Sequence, residues 1–90
     1  MNKHVLVSGR VQGVGFRYSV QRIALQQNIK GWVRNNPDGK VELEVEGRSE
    51  DVHTFLKKMN KGLNPFIRMD EIDVLSTSED QGYKNFSIKY

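Results

Sequence analysis

The 90-residue sequence contains no cysteine. Disulfide bonds, thiol nucleophiles and zinc sites built on thiolates are therefore excluded. Long apolar runs are also missing, because residues 1–30 hold only short apolar runs, interrupted by Lys3, His4, Arg10 and Arg17. A secretory signal or a membrane span would need a longer apolar segment. We therefore expect a protein of the cytoplasm that has no membrane partner.

Acidic residues are absent from residues 1–37. Residues 1–40 carry seven Lys and Arg side chains and one acid, Asp38, which gives a net charge of +6. Residues 41–90 carry seven basic and ten acidic side chains, which gives a net charge of −3. Such an asymmetry favours an anionic partner, either a small molecule or a polymer.

Apolar residues recur at the periods of strands and helices. Val5–Val7 fits a short buried strand that ends near Gly9. A stripe with helical spacing follows, made of Phe16, Val20, Ile23 and Ala24. Asn28 is placed to close this helix in the left-handed conformation.

A hairpin is the clearest local pattern. Residues 29–35 and 40–46 fit two strands around the turn Asn-Pro-Asp-Gly at 36–39. In the second strand apolar and acidic residues alternate, which predicts one buried face and one face in water. The expected buried residues are Val41, Leu43 and Val45, and the expected solvent-facing residues are Glu42, Glu44 and Glu46.

The remaining residues predict a second helix and two more strands. Ser49 is the expected N-cap of the helix. The inward stripe of this helix is Val52, Phe55, Leu56 and Met59. Strands are expected at 68–77, with Ile72 and Val74 pointing inward, and at 86–90.

The order βαββαβ with an extra strand is typical of a ferredoxin-like fold. We expect one α+β domain over residues 1–90, a sandwich with a mostly antiparallel sheet of four to five strands and two helices packed on one face. In this topology the third strand lies antiparallel between the first two, so the ends of the first two strands share one edge. The loop 9–15 and Asn35 would then lie about 9–10 Å apart, which is two strand spacings.

The stretch VSGRVQGVGFRYSV, residues 7–20, places a glycine-rich loop before the first helix. Gly9, Gly13 and Gly15 would let several backbone N–H groups point inward at a helix N-terminus, a geometry that binds phosphate. Arg17 falls in the first helical turn, where an acid is normally preferred. A bound phosphate would account for it, because one guanidinium can bind two phosphate oxygens.

Other interpretations of this loop stay open at this point. A glycine-rich turn is often only a tight turn, and an arginine near a helix start is often solvated. The loop lacks the Lys-Ser/Thr of a P-loop, and Tyr18 stands where a dinucleotide-binding fingerprint has its third glycine. GVGFRY partly resembles the signature of RNA-recognition strands, although that signature belongs on the third strand.

Two long segments together resemble the signature motifs of the acylphosphatase family. These segments are GRVQGVGFR at 9–17 and GWVRNNPDGKVELEVEG at 31–47. The ending NFSIKY at 85–90 is similar to the C-terminal strand of that family. The resemblance spans the chain from about Lys3 to Tyr90, and two long motifs are more specific than a glycine pattern alone.

The resemblance implies an enzyme that hydrolyses the carboxyl–phosphate bond of acyl phosphates without a metal or a cofactor. Arg17 matches the arginine that binds phosphate in this family, and Asn35 matches the asparagine that orients the attacking water. Backbone donors for the substrate would come from Arg10, Val11, Gln12, Gly13, Val14 and Gly15. Gly15 departs from many animal members, which have an aromatic residue there.

The chemistry of the residues agrees with this resemblance. An acyl phosphate is a mixed anhydride with a good carboxylate leaving group, so positioning and charge stabilisation can be enough for hydrolysis. Attack in line at phosphorus needs donors around the phosphate oxygens and one polar group that holds a water. Arg17 with its loop and Asn35 are suited to these two tasks.

The histidines, Trp32 and Tyr90 have other expected roles. His4 and His53 are not spaced for a metal or for a phosphohistidine relay, and we interpret them as surface or packing residues. Trp32 is expected to pack in the core or cap the sheet. The resemblance hints that the terminal carboxylate of Tyr90 pairs with Arg17 or with a neighbour of Arg17.

Two alternative functions use the same features. An RNA-binding ferredoxin-like module would exploit the basic first half. A carbamoyl-phosphate-handling domain, like the acylphosphatase-like unit of larger hydrogenase-maturation proteins, would share both motifs. We favour a free-standing monomeric enzyme and expect no nucleic acid partner.

Overall fold

The computed structural model describes the whole chain, from Met1 to Tyr90. Five strands and two helices follow one another along it. They are β1 (Asn2–Arg10), α1 (Phe16–Gln26), β2 (Lys30–Asn35), β3 (Val41–Glu46), α2 (Ser49–Asn60), β4 (Arg68–Ser78) and β5 (Phe86–Lys89). None of the helices is long and apolar enough to cross a membrane.

The strands form one mixed sheet in the order β4-β1-β3-β2-β5. β3 pairs antiparallel with both β1 and β2, and β4 pairs antiparallel with β1. The only parallel pair joins β2 to β5. The predicted ferredoxin-like fold is confirmed, with five strands and one parallel pair at an edge of the sheet.

The core lies between the two helices and one face of the sheet. Its central strand residues are the alternating Val41, Leu43 and Val45 of β3, all fully buried as predicted. α1 and α2 cover them with their apolar stripes, and the buried residues of these helices include Phe16, Val20, Ala24, Val52, Phe55 and Met59. Asn28 has the predicted left-handed conformation, with a φ of 57°.

Two predictions about element ends are wrong. β1 runs from Asn2 to Arg10 and not only over its apolar centre, because it pairs with a strand on each side and its hydrogen bonds continue beyond the core. α2 begins at Ser49 with Arg48 as its N-cap, and no side chain caps its first turn. Glu50 and Asp51 in that turn complement the helix dipole instead.

Two predictions about which side chains face water are also wrong. Glu46 is buried and not wet, because its carboxylate receives hydrogen bonds from Asn2 and from the backbone that precedes β5. Val74 lies opposite Val5 on the helix side of the sheet, but it is 47% exposed. β4 is an edge strand, and Val74 lines an open groove beside Leu56, Lys57 and Asn60 of α2 instead of packing closely against that helix.

The strand register brings the predicted site residues to one end of the sheet. Val7 near the end of β1 and Asn35 at the end of β2 both lie opposite Val41, on the two sides of β3. Val7 and Asn35 are therefore separated by two strand spacings, about 9–10 Å, and the loop that follows β1 lies at the same end of the sheet as Asn35. The predicted juxtaposition of the loop and Asn35 is confirmed.

Candidate active site

The loop between β1 and α1 consists of residues Val11–Gly15. Arg10, predicted as its first residue, is instead the last residue of β1 and lies opposite Arg68. Val11 is buried in the core and anchors the start of the loop. The carbonyl of Val14 accepts a hydrogen bond of 3.2 Å from Nδ2 of Asn64, which anchors its end.

The backbone amides of this loop are free. No N–H group from Val11 to Gly15 donates to an acceptor within the protein. The loop then enters α1, whose first turn leaves its own amides without intrahelical partners. No acidic side chain lies in that turn and no side chain caps it. A run of free donors therefore surrounds the positive end of the α1 dipole, which is the geometry that binds anions.

Gly13 and Gly15 give the loop its curvature. Their φ angles are 73° and 78°, in the left-handed region that other residues rarely adopt. A Cβ at Gly13 would meet no atom within 4 Å. The need for glycine at this position therefore comes from the backbone conformation and not from crowding.

Gly9 has a different role from the one predicted. It lies in β1 beside an irregularity in the pairing with β4, with a φ of 127°. A Cβ at this position would lie 2.1 Å from the carbonyl oxygen of Arg68. Gly9 is therefore required for the close approach of two strands, and it is not part of the loop that carries the free amides.

Arg17 is the second residue of α1 and is half-buried. Its guanidinium carbon lies 5.0 Å from the centre of the Tyr90 ring. The Tyr90 side chain is exposed, and its hydroxyl oxygen lies 3.2 Å from that of Tyr18. The hinted pairing of Arg17 with the terminal carboxylate of Tyr90 is not formed. The aromatic ring makes the contact instead and leaves the N–H groups of Arg17 free for an anion.

Asn35 ends β2 and belongs to the side of the sheet that faces the helices, as does Val33. Its Oδ1 atom is buried and accepts no hydrogen bond from the protein. A buried acceptor without a partner is unfavourable by about 1–3 kcal/mol, so such atoms mark places where a ligand or a water binds. Asn35 therefore offers an acceptor at the end of the sheet where the free amides lie.

The first carboxylate of β3 is already occupied by basic partners. Glu42 of β3 accepts a hydrogen bond of 2.9 Å from Arg34 and is bound to Nε2 of His4. Burial raises the pKa of Glu42, but the hydrogen bonds from Arg34, His4 and Asn36 outweigh it and hold that pKa below its usual range. Glu42 is thus an ion-paired group on the face of the sheet opposite the helices, called the open face below, and it does not compete for Arg17.

The other residues weighed from the sequence have structural roles. His4 bonds to Glu42 and packs near Trp32, with ring centres 6.2 Å apart. Trp32 is buried on the open face of the sheet, where its Nε1 donates to Glu44 over 2.6 Å. His53 is exposed on α2. No group of three or more His, Asp or Glu side chains is arranged to hold a metal ion.

Comparison with known proteins gives one consistent result. The acylphosphatase family model matches residues 3–88. The chain belongs to the acylphosphatase family. An acylphosphatase of Bacillus pumilus is 46% identical to this chain over 86 residues, which cover 96% of this chain and 94% of the relative. The predicted family and its enzyme class, hydrolases of acyl phosphates, are confirmed.

Solved acylphosphatase structures have the same architecture. The crystal structure of acylphosphatase from Bacillus subtilis superposes with a TM-score of 0.92 at 39% identity, covering 99% of this chain and 98% of that one. The crystal structure of full-length HypF in the phosphate- and nucleotide-bound form superposes with a TM-score of 0.87 at 36% identity. That match covers all of this chain but 12% of HypF.

Sequence reasoning missed three contacts around the site. They are the side-chain bonds of Gln12 to the β2–β3 turn, the bond from Asn64 to Val14, and the Tyr90 ring beside Arg17. Each joins residues that are at least 24 positions apart in the chain. The amide side chains of Gln12 and Asn64 carry no local pattern that predicts their partners.

Proposed function

We propose that this acylphosphatase hydrolyses the carboxyl–phosphate bond by direct attack of water. The free amides of Val11–Gly15 and the guanidinium of Arg17 bind the phosphate group of the substrate, and Asn35 holds the attacking water. The observation that carries the proposal is the run of free amides beside Arg17, at the same end of the sheet as the unpartnered Oδ1 of Asn35.

The reaction needs no nucleophilic side chain. The water oxygen attacks phosphorus, and the bond between phosphorus and the carboxyl oxygen breaks. The carboxylate leaves with the electron pair, and the proton of the water passes to an oxygen of the phosphate. The products are a carboxylate and inorganic phosphate. The protein's contribution is the fixed arrangement of donors around the charge that develops on the phosphate oxygens.

Asn35 is suited to hold the water because its Oδ1 is an acceptor. A water that donates one hydrogen to Oδ1 directs an oxygen lone pair away from Asn35. Asn35 is aligned with Val7 two strands away, at the end of the sheet where the loop lies, and a phosphate with one water would span two strand spacings. The buried, unpartnered state of Oδ1 supports this role.

Hydrolysis of benzoyl phosphate in the presence of a chelator tests the proposal. Wild-type protein should be active under these conditions. Arg17→Lys keeps the charge but loses the forked geometry, and we expect kcat/KM to fall by about 10²–10³-fold, equivalent to about 2.7–4 kcal/mol. Arg22→Lys on the exposed surface of α1 is the matched control and should retain activity.

Asn35→Ala should separate water positioning from phosphate binding. We expect kcat to fall while orthophosphate inhibits with nearly unchanged affinity, because the loop and Arg17 remain. Asn60→Ala, an exposed asparagine at the end of α2, is the control. A loss of orthophosphate binding in Asn35→Ala, or full activity in Arg17→Lys, would contradict the assigned roles.

We further propose that the enzyme acts as a monomer in the cytoplasm without a nucleic acid partner. The RNA-binding alternative would use the open face of the sheet, but the central strand β3 presents Glu42 and Glu44 there. These carboxylates already engage the basic and aromatic groups of that face, Arg34 by Glu42 and Trp32 by Glu44, so those groups are not free for phosphates or bases. Carbamoyl phosphate is also a mixed anhydride of phosphate, so the same assay tests it as a second substrate.

A further inference from the structure

The side chain of Gln12 joins the phosphate loop to the β2–β3 hairpin. Its Nε2 atom donates to the carbonyl oxygen of Asn36 over 2.7 Å and to that of Lys40 over 2.9 Å. Both bonds are partly buried and connect residues 24 and 28 positions apart in the chain. A single amide nitrogen thus uses both of its hydrogens to bind one turn.

The two carbonyl groups lie at the base of the hairpin turn. The amide of Asn36 donates to the same Lys40 carbonyl over 2.8 Å, and the amide of Gly39 donates to the Asn36 carbonyl over 3.1 Å. Asn36 directly follows Asn35. Gln12 therefore holds the backbone immediately after the residue to which the proposed function assigns the attacking water.

The loop's other attachments do not reach this hairpin. Val11 anchors in the core, and Val14 is held by Asn64, which precedes β4. Among residues 11–15, the hydrogen bonds to the hairpin come from the side chain of Gln12. The relative position of the free amides and Asn35 thus depends on this one side chain in addition to the sheet.

We propose that Gln12 is a positioning residue that acts through Asn35. Its side chain sets the place of the attacking water relative to the bound phosphate, and it does not touch the substrate. This inference rests on the proposed function, because it assumes that the loop binds phosphate and that Asn35 holds water. It assigns the Gln12 side chain a task separate from the backbone donation expected of residues 11–15.

The role predicts a specific kinetic effect. The loop amides and Arg17 stay in place without the Gln12 bonds, so orthophosphate binding should change by less than about threefold. In-line attack is sensitive to displacements of 1 Å, so kcat should fall by about tenfold to hundredfold. A change in kcat with constant phosphate affinity is the signature of lost alignment between the two halves of the site.

The test compares Gln12→Met with Gln21→Met in the benzoyl phosphate assay. Methionine is close to glutamine in length but has no donor. Gln21 makes a similar bond from its side-chain amide to a backbone carbonyl, that of Phe86 over 3.3 Å, away from the hairpin. We expect kcat to fall in Gln12→Met and to stay within about twofold of wild type in Gln21→Met.

A double-mutant cycle with Asn35→Ala distinguishes positioning from a general structural role. If Gln12 acts through Asn35, Gln12→Met should reduce kcat much less in the Asn35→Ala background than in the wild-type background. Equal reductions in both backgrounds, or unchanged kcat in Gln12→Met, would overturn the inference. A fall in orthophosphate affinity that accounts for the whole effect would overturn it as well.

A second variant guards against loss of folding. If Gln12→Met does not fold, Gln12→Asn takes its place in the cycle, because its shorter side chain keeps the amide but cannot reach both carbonyls. Wild-type protein that is inactive, or that keeps full activity in Arg17→Lys, would refute the proposed function and the inference with it. An active enzyme that depends on Arg17 and Asn35 but shows additive effects of Gln12 would refute only the inference.

Discussion

Arg17 occupies a position that a helix normally gives to an acid. Gly15 caps α1 without a side-chain hydrogen bond, the first turn holds no acid, and the amides before it are free. The guanidinium of Arg17 is positively charged and the free amides carry partial positive charge, so without an anion they repel one another. The Tyr90 ring offsets part of this repulsion, because contact with an aromatic face stabilises a guanidinium by about 0.5–1 kcal/mol at an exposed site. A bound phosphate would neutralise the positive charge that remains.

Gly9 provides a prediction at the level of one atom. Gly9→Ala would place a Cβ 2.1 Å from the carbonyl oxygen of Arg68, at a φ of 127° that L-residues rarely adopt. We expect the free energy of unfolding to fall by about 1–3 kcal/mol from backbone strain, with further loss as β4 moves away. Urea denaturation measures this loss. Stability equal to that of wild type would show that the two strands do not approach as closely as described.

The strand and helix patterns show which parts of the fold can be predicted from sequence. The β2–β3 hairpin and the stripes of both helices are encoded by local periodicity, and the structure confirms them. The full length of β1 and the exposure of Val74 depend on which strands lie beside them, and no local pattern carries that information. The burial of Glu46 also depends on a distant segment, residues 81–83.

Part of the candidate site can likewise be predicted from the sequence, and part cannot. The loop and Arg17 are contiguous in sequence, and the βαββαβ order is enough to bring Asn35 to the same end of the sheet. No sequence pattern predicts the contacts of the Gln12 and Asn64 side chains or of the Tyr90 ring, because these contacts depend on side-chain packing between segments that are far apart in the chain. The assigned catalytic roles of Arg17 and Asn35 stay predictions.

The acidic residue at the end of β3 links this element to the stability of the protein. Glu46 is 3% exposed. It receives hydrogen bonds from Asn2 over 3.0 Å and from the amides of Gly82 and Tyr83 over 3.1 and 2.9 Å. Burial raises the pKa of Glu46, but hydrogen bonds from Asn2 and from the amides of Gln81 and Tyr83 outweigh it, so the pKa is lowered.

A lowered pKa in the folded state predicts a definite dependence on pH. Glu46 stabilises the fold above the pKa of an unfolded glutamate, about 4.3, and this contribution is lost as the pH falls through the lower folded pKa. Glu46→Gln should reduce the free energy of unfolding by about 1.5–3 kcal/mol at neutral pH, because it removes hydrogen bonds to a charged group. The difference from wild type should shrink as the pH falls below about 4.3.

Urea denaturation between acid and neutral pH measures this effect. Glu50→Gln is the control, since Glu50 is exposed and its pair with Arg48 is a surface ion pair worth about 0–1 kcal/mol. A difference between wild type and Glu46→Gln that stays constant at all pH values would mean that the charge of Glu46 does not contribute.

At the scale of the whole molecule, the fold mixes the basic and acidic halves of the sequence. β3 carries Glu42, Glu44 and Glu46 and lies between β1 and β2, which belong to the basic half. On the open face, Arg34 and Lys89 lie over the Trp32 ring, at 5.2 and 4.4 Å from its centre. The basic side chains of the first half of the chain, whose net charge is +6, therefore lie beside the carboxylates of β3, and Arg34 pairs with Glu42.

This charge distribution predicts weak binding to RNA. We expect the dissociation constant for a single-stranded RNA at physiological salt to be weaker than about 10⁻⁴ M, the weak end of non-specific binding. Fluorescence anisotropy at several salt concentrations measures it. Micromolar binding that depends strongly on salt and persists in Arg17→Gln would contradict the proposal that RNA is not a partner.

An NMR titration of ¹⁵N-labelled protein with orthophosphate tests the central claim most directly, because each free amide reports for itself. The claim is that the amides of Val11–Gly15 and the side chain of Arg17 bind the phosphate group. We expect saturable shifts concentrated in residues 11–17, lost in Arg17→Gln and retained in Arg22→Gln. Unchanged amides in this loop, with the largest shifts elsewhere in the protein, would contradict the account.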